Sequence, residues 1–457
     1  MIVQKENEKH KKKIRALRKA SIYGSDAIVD VIAGLGIKVV VANIGSTFRG
    51  LWESLVNYEG GKSITCVSAC HEEIAVAMAH GYAKASGKPI VALVHDVVGL
   101  QHASMAIYNA WCDAVPLIVI GAEGPIDPAR RRPWIDWIHT ANIPNTLVRD
   151  FVKWDAFPNT IQGACQSLLI SYKMAMSAPR GPTYICLDST YLEEKANLDR
   201  ATKAGLENRS VNTDVSAETD ALRRISGMLC EAEHPLIVAG RTGRDPEAVN
   251  QLVKLAETCG ASVIDTGESF AFPNTHYLDA TGMDQEIARA DFILCLDSPM
   301  QLRVLSRKSK LQGKKLLTRK SEVALATIGL ENIAGHAWSD HDHVLIPGML
   351  SVSGDAAKSI QVLADYCSDQ LNSRDRNQSK QIKERLEIAQ TRYKNQRREW
   401  QKEAERRWND IPISTARLAA EVWEAIKGSS WVIGNGLLSG WVRRLWKMEK
   451  PGCYLGS

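Results

Sequence analysis

Short uninterrupted apolar runs alternate along this chain with stretches whose apolar residues recur every three or four positions. Runs of the first kind suit strands buried on both faces, and the second spacing suits helices laid over them. The alternation therefore predicts an α/β fold built on doubly wound parallel sheets. In the first region strands are predicted at 38–42, 63–67, 90–94, 117–120 and 183–187, with helices between them at 26–35, 73–85 and 162–176. These elements make one domain over 21–192. Residues 193–217 are polar and without period, and read as a linker. A second α/β domain is expected over 218–355, with strands at 235–239, 261–265, 292–296 and 315–317 and helices at 217–232 and 246–258.

Residues 356–410 are read as a charged helical linker. Within 373–407 there are twelve Lys/Arg against six Asp/Glu, yet Ile382, Leu386, Ala389, Tyr393 and Trp400 recur at helical spacing. So narrow an apolar stripe suits a helix lying along the protein body. From 411 a third unit is expected to begin: Ser414 or Thr415 caps a helix to about 427, and 430–433 reads as a first strand. The 47 residues from 411 to 457 fall short of the roughly 100 of an ordinary domain, so this unit is read as the incomplete start of a third α/β domain.

Composition narrows the class. Hydrophobic residues are 45% and charged residues 24%, as in ordinary globular proteins, and no apolar stretch approaches the roughly 20 residues that span a bilayer. The net charge of +5 is local. Residues 1–20 hold eight Lys/Arg and two Glu, a net +6, which leaves about −1 for the remainder. The stretch reads as a solvated basic leader, and neither a nucleic-acid nor a membrane partner is expected. The ten cysteines include no C-x-x-C pair, and several sit inside apolar runs as small hydrophobes, so a reducing, cytoplasmic compartment is expected.

The chemistry concentrates after the second predicted strand. There Cys70-His71-Glu72-Glu73 opens a helix in which Ala75, Ala79 and Ala83 form a small-residue stripe and Ile74, Met78 and Tyr82 an apolar one. An acid between a strand's carboxyl end and a helix's first turn faces the crevice where doubly wound sheets bind ligands, and the helix dipole favours it. An ordinary first-turn acid has the same position.

The run from His71 to Pro89, read as H-E-x-x-A-x-x-x-A-x-G-Y-A-x-x-x-G-K-P, is followed by a strand and by N-A-x-x-D-x-x-P-L-x-x-I from Asn109. Together these resemble the pyrimidine-binding domain of thiamine-diphosphate enzymes of the acetolactate synthase and benzoylformate decarboxylase branch. The resemblance continues through Arg180–Ile185 and, more weakly, into a Rossmann-like middle domain. It implies a decarboxylase or carboligase acting on a small 2-oxo acid. It makes the Glu72 carboxyl the partner of the cofactor's aminopyrimidine ring, promoting formation of the thiazolium ylid.

The same resemblance implies further contacts. Gly45-Ser46 matches the Pro-Gly-Ser/Gly loop, with Ile44 in place of proline. His95 falls where benzoylformate decarboxylases carry a His at a strand-end loop, making it a candidate for proton transfer; a structural histidine is the other reading. Gly99, Gln101 and Asn109 are expected on the cofactor side, with His102 facing the same pocket as Gln101, and Asn109 and Asp113 also suit the helix-to-strand connection.

Arg130–Trp137 reads as an oligomer contact or a loop over the site. His336, His341 and His343 lack an accompanying ligand set, and no metal site is assigned to this chain's residues. The middle domain of such enzymes binds FAD in some members; Gly240-Arg241-Thr242-Gly243 is not G-x-G-x-x-G, so FAD remains only an alternative.

In that family Mg²⁺ and the diphosphate are held by Gly-Asp-Gly and a later Asn, and no such pair occurs here; Gly354-Asp355-Ala356 lacks the second glycine. The expectation is therefore a chain that supplies one wall of the site, in a homo-oligomer (dimer or tetramer) or beside a partner chain supplying the diphosphate-binding domain. A catalytically silent paralogue or regulatory subunit, and a nucleotide-binding module built on the middle domain, are the alternatives.

Overall fold

The computed structural model describes residues 23–196, 215–298, 306–309, 313–316, 324–330, 350–373, 376–434 and 438–456. The basic leader, most of the expected linker and His336, His341 and His343 lie outside the described residues. The chain divides into two compact units, Met1–Thr213 and Asp214–Ser457.

In the first unit the elements run α1 (Gly24–Gly34), β1 (Val39–Asn43), α2 (Arg49–Asn57), β2 (Thr65–Ser68), α3 (Glu72–Ser86), β3 (Ile90–His95), α4 (Asp96–Cys112), β4 (Leu117–Glu123), β5 (Asp155–Ala156), α5 (Ile161–Met176), β6 (Pro182–Asp188) and α6 (Ser189–Glu193). The six strands are parallel in the order β2-β1-β3-β4-β6-β5. Side chains alternate across a strand, and here both faces are buried. Val91 and Leu93 of β3 join α1, α2 and α5 in one core, while Ile90, Ala92 and Val94 join α3 and α4 in the other. This explains why the strands read as unbroken apolar runs. The alanine stripe of α3 lies in the second core, whereas Ile74, Met78 and Tyr82 point outward. The helix ends on Gly87, whose φ of +66° places it in the left-handed region that glycine enters without penalty.

The second unit runs α7 (Thr219–Glu231), β7 (Pro235–Ala239), α8 (Pro246–Cys259), β8 (Ser262–Asp265), α9 (Asp284–Arg289), β9 (Phe292–Leu296), β10 (Ser306–Ser309), β11 (Gly313–Leu316), β12 (Ala324–Gly329), β13 (Leu350–Ser353), α10 (Ala356–Ser373), α11 (Arg376–Arg406), α12 (Thr415–Ile426) and α13 (Ser439–Leu445). Its parallel sheet has the order β13-β12-β9-β7-β8. The strand expected at 315–317 is not part of it. That segment overlaps β11, which pairs antiparallel with β10 in a two-stranded hairpin. The fourth and fifth sheet positions belong to β12 and β13, which the apolar pattern did not single out.

Helix α11 does lie along the body, but its apolar stripe is only part of the reason. Ala389 and Trp400 are buried. Arg385, Arg392 and Arg397 also reach in, Arg397 Nη2 donating to Asn274 O at 2.7 Å and Arg392 Nη1 to Ser262 Oγ at 2.9 Å. Ser414 caps α12 by accepting from Arg417 N.

The expected third unit does not stand apart. Residues 430–433 form no strand; only Ile433 makes a single parallel bridge, to Tyr454. Ala419, Val442, Trp446 and Met448 instead pack on Val249 and Phe270 of the sheet domain. The side chain of Asn274 stitches the segment down, donating to Trp446 O at 2.9 Å and accepting from Met448 N at 2.9 Å. A short segment that cannot close its own core is stable only by lending its apolar face to a neighbour.

Candidate active site

In the first sheet the strand order reverses between β1 and β3, and the loops leaving their carboxyl ends part there to opposite faces. Open α/β sheets bind ligands at this kind of crevice. The sequence delivers Gly45 and Ser46 to it from β1, and His95 with Asp96 from β3. Glu72 arrives from the neighbouring edge, at the start of α3.

His71 caps α3, its Nδ1 accepting from Glu73 N at 3.2 Å. This places Glu72 as the first helical residue, where the dipole favours a carboxylate. Glu72 is 6% exposed, and its Oε2 lies 3.3 Å from Nδ1 of His102. The rings of His102 and His71 stack with centroids 4.7 Å apart. Beneath the carboxyl runs α4 at Gly99, where a Cβ would stand 2.8 Å from Glu72 Oε1. Gly99 therefore makes room for the acid.

Gly45 has an equivalent relation to His95: a Cβ there would overlap the imidazole at Cδ2 and Nε2. His95 Nδ1 lies 3.0 Å from Asp96 Oδ2, and the buried Nε2 has no hydrogen-bond partner. Asp96 is fully buried and has φ +38°, an uncommon conformation that Asp tolerates better than most residues. Its Oδ1 accepts from Val98 N at 3.3 Å, so the helix begins at Asp96 itself. The expected strand-end loop after His95 is thus the first turn of α4, with His95 at its N-cap position. Ser46 is half-buried and opens a short 3₁₀ turn, Ser46–Phe48.

Three residues in this cluster were not picked out from the sequence. Asp96 is one. Glu123, at the carboxyl end of β4, is 1% exposed, and its Oε2 accepts from Ala141 N at 3.3 Å. Burial first, and then the charge of Asp96, push its pKa up to about 8. His139 is the third, its ring edge-on to His95 with centroids 5.5 Å apart. The rule that drew attention to Glu72, an ionisable residue at a buried strand's carboxyl end, would have found Glu123. Nothing local marks His139, which lies two residues past the Arg130–Trp137 segment whose Trp134 and Trp137 are strongly exposed.

Gln101 is exposed on α4, next to His102. One expected contact is not brought to Glu72. Asn109 is exposed and lies ten residues beyond Gly99, roughly 15 Å along the helix, at the opposite end of the sheet. Beside it, Asp113 accepts ion pairs from His80 at 2.8 Å and Lys84 at 2.7 Å, tying α3 to the turn before β4.

In the second unit the Gly240–Gly243 turn serves backbone packing. A Cβ on Gly240 or Gly243 would strike the carbonyl of Asp297 or Phe270, respectively. At the tip of β8, Asp265 Oδ2 pairs with Arg443 Nη2 at 2.6 Å, and the guanidinium lies over Tyr454. The chain's own residues fill the place where an acidic side chain would meet a dinucleotide ribose in such folds.

Comparison with known proteins places these features in a family context. Residues 22–141 match the thiamine pyrophosphate enzyme, N-terminal TPP binding domain. That segment contains Gly45, Glu72, His95, Gly99, Glu123 and His139. The acetolactate synthase large subunit of Lactococcus lactis is 24% identical over 330 residues, covering 70% of this chain and 55% of that protein. Benzoylformate decarboxylase of Pseudomonas aeruginosa is 25% identical over 211 residues, covering 45% and 38%. The chain spans about half the length of the curated relatives it matches.

Two solved structures share its fold. The thiamine diphosphate-dependent 4-hydroxybenzoylformate decarboxylase of Rhodococcus jostii RHA1 superposes with a TM-score of 0.71 at 16% identity, covering 94% of this chain and 75% of that one. Benzoylformate decarboxylase of Polynucleobacter necessarius gives 0.70 at 16%, covering 95% and 74%. Among the described residues no helix is long and apolar enough to cross a membrane.

Proposed function

We propose that this chain forms the aminopyrimidine side of a thiamine-diphosphate site that decarboxylates or ligates small 2-oxo acids. The observation that carries the reading is the Glu72 carboxyl, buried at a helix start and seated against Gly99 in the crevice of the first sheet. The residues present fit the pyrimidine half of the cofactor. Glu72 would hold a proton against a ring nitrogen, and Gly99 leaves its carboxyl the space to face that ring.

Bound there, the cofactor would supply an electron sink for the carbon that loses carbon dioxide. His95 is built for proton traffic beside it. Asp96 sets a carboxylate oxygen 3.0 Å from one ring nitrogen, Gly45 lets the ring pack against β1, and Nε2 keeps its hydrogen-bonding capacity for an incoming group. The diphosphate and Mg²⁺ would be held by a domain carrying Gly-Asp-Gly and Asn ligands. Ile74, Met78, Tyr82 and Met105 leave an exposed apolar face on α3 and α4 (37–57% exposed), which supports assembly through these helices.

The test separates site from turnover. Saturation-transfer NMR with 4-amino-5-hydroxymethyl-2-methylpyrimidine, the pyrimidine half alone, should show binding to the full chain that Glu72→Gln weakens at least tenfold. The chain combined with a diphosphate-binding domain should release carbon dioxide from a panel of 2-oxo acids, and Glu72→Gln should stop it. Undiminished activity in that variant would overturn the assignment. Pyrimidine binding without turnover would favour a catalytically silent regulatory role.

A further inference from the structure

Helices α7, α8 and α10 of the second unit each send one cysteine to a common point. The sulfurs of Cys230, Cys259 and Cys367 all lie within 4.8 Å of one another, all three residues are buried, and none is in a disulfide. Cys230 and Cys259 come from the last turns of their helices, and Cys367 from the interior of α10. Among the described residues no other cysteines converge in this way. Cys165, Cys186, Cys295 and Cys453 are also buried, but their thiols are not gathered.

The spacing has a chemical meaning. Zn²⁺ binds thiolate sulfur at about 2.3 Å, so three sulfurs around one such ion stand about 4 Å apart. Sub-ångström adjustments of the side chains would bring the three sulfurs from their present spacing to that geometry. Arg385 of α11 lies beside this point, Nη2 donating to Cys259 O at 2.8 Å and Nη1 to Ala232 O, so a cation stands close to any thiolates that metal binding forms.

We propose that Cys230, Cys259 and Cys367 form a three-thiolate site for a thiophilic divalent cation of the Zn²⁺ type, clamping α7, α8 and α10 together. Binding forms three metal–sulfur bonds and sends the three thiol protons to solvent, with no change of oxidation state. Since all three residues are buried, the ion is captured as the helices dock.

The full chain refolded under reducing conditions with Cd²⁺ or Zn²⁺ tests this. One ion per chain is expected, with thiolate-to-Cd²⁺ charge-transfer absorption, a ¹¹³Cd shift in the sulfur-ligand range and a higher Tm, all unaffected by excess Mg²⁺. Cys259→Ser and Cys367→Ser should each lose the absorption, while Cys165→Ser keeps it. Should a serine variant not fold, the ¹¹³Cd shift of the unsubstituted chain decides. A folded chain that takes up no ion, or one that keeps its ion in both folded serine variants, would overturn the site and leave the three thiols as core packing.

Discussion

Gly45 and His95 meet across the point where the first sheet reverses its strand order, and the imidazole occupies the volume that a Cβ on Gly45 would need. Gly45 has extended backbone angles, φ −144° and ψ −163°, which any residue adopts. The requirement for glycine is therefore steric. Gly45→Ala should lower stability by about 1–3 kcal/mol through overpacking, or turn His95 out of its place beside Asp96. Urea unfolding and the His95 ring resonances read the two outcomes; unchanged values in both would refute the contact.

Gly99 gives a contrasting case, because it lies inside α4. In an ordinary helix Gly→Ala stabilises by roughly 1 kcal/mol. Here the new methyl would meet Glu72 at Oε1, Cγ and Cδ, between 2.8 and 3.1 Å. Gly99→Ala should leave stability near its starting value and weaken binding of the pyrimidine probe at least tenfold. Unaltered probe affinity in the folded variant would show that the carboxyl is not held there.

Glu123 makes stability fall as pH rises. Burial and the neighbouring Asp96 raise its folded pKa from the usual 4.5 to about 8. Between these values the folded chain holds a proton that the unfolded chain has lost, so the stabilising difference is present at acid pH and shrinks towards pH 8. Arg131 and the Ala141 amide oppose the shift without cancelling it. Glu123→Gln should flatten the dependence and be the more stable form at pH 8.5, by an amount on the order of a few kcal/mol. Chemical denaturation of both proteins at pH 5.5 and 8.5 checks this, and parallel profiles would be the contrary result.

Arg443, whose guanidinium also lies over Tyr454 of the same segment, anchors the segment beyond α11 to the second sheet through Asp265. Arg443→Met removes one member of a buried pair and strands the other. A loss of about 3 kcal/mol is expected, tempered because Asp265 also accepts from Gly267 N at 2.9 Å and Ala271 N at 3.1 Å. Limited proteolysis should then cut first within 411–456, and cleavage elsewhere at an unchanged rate would argue against anchoring.

Much of this architecture is legible in the chain. The β3 and β6 runs announce strands because both faces are buried, and Ser414 announces a helix because its hydroxyl caps it. Glu72 is legible for a related reason: a strand, a polar junction and a helix in immediate succession fix where its carboxyl sits. Legibility fails where a segment's role depends on a distant partner. Residues 315–317 look like a core strand but overlap a hairpin strand, and Asn109 looks like a site residue but lies at the far end of α4. The arginines of α11 read only as part of a charged helix, yet three of them donate to part-buried carbonyls and to the Ser262 hydroxyl.

The sequence by itself determined the alternation of strands and helices, the α/β class and the position of Glu72 at a strand–helix junction, since periodicity, capping and chain adjacency are local properties. Only the tertiary structure decided that His95 rests on Gly45, that Asp96 and His139 flank it with Glu123 near Asp96, and that three cysteines from three helices share one point. Those relations depend on strand order and helix docking, which long-range burial selects and no local pattern encodes.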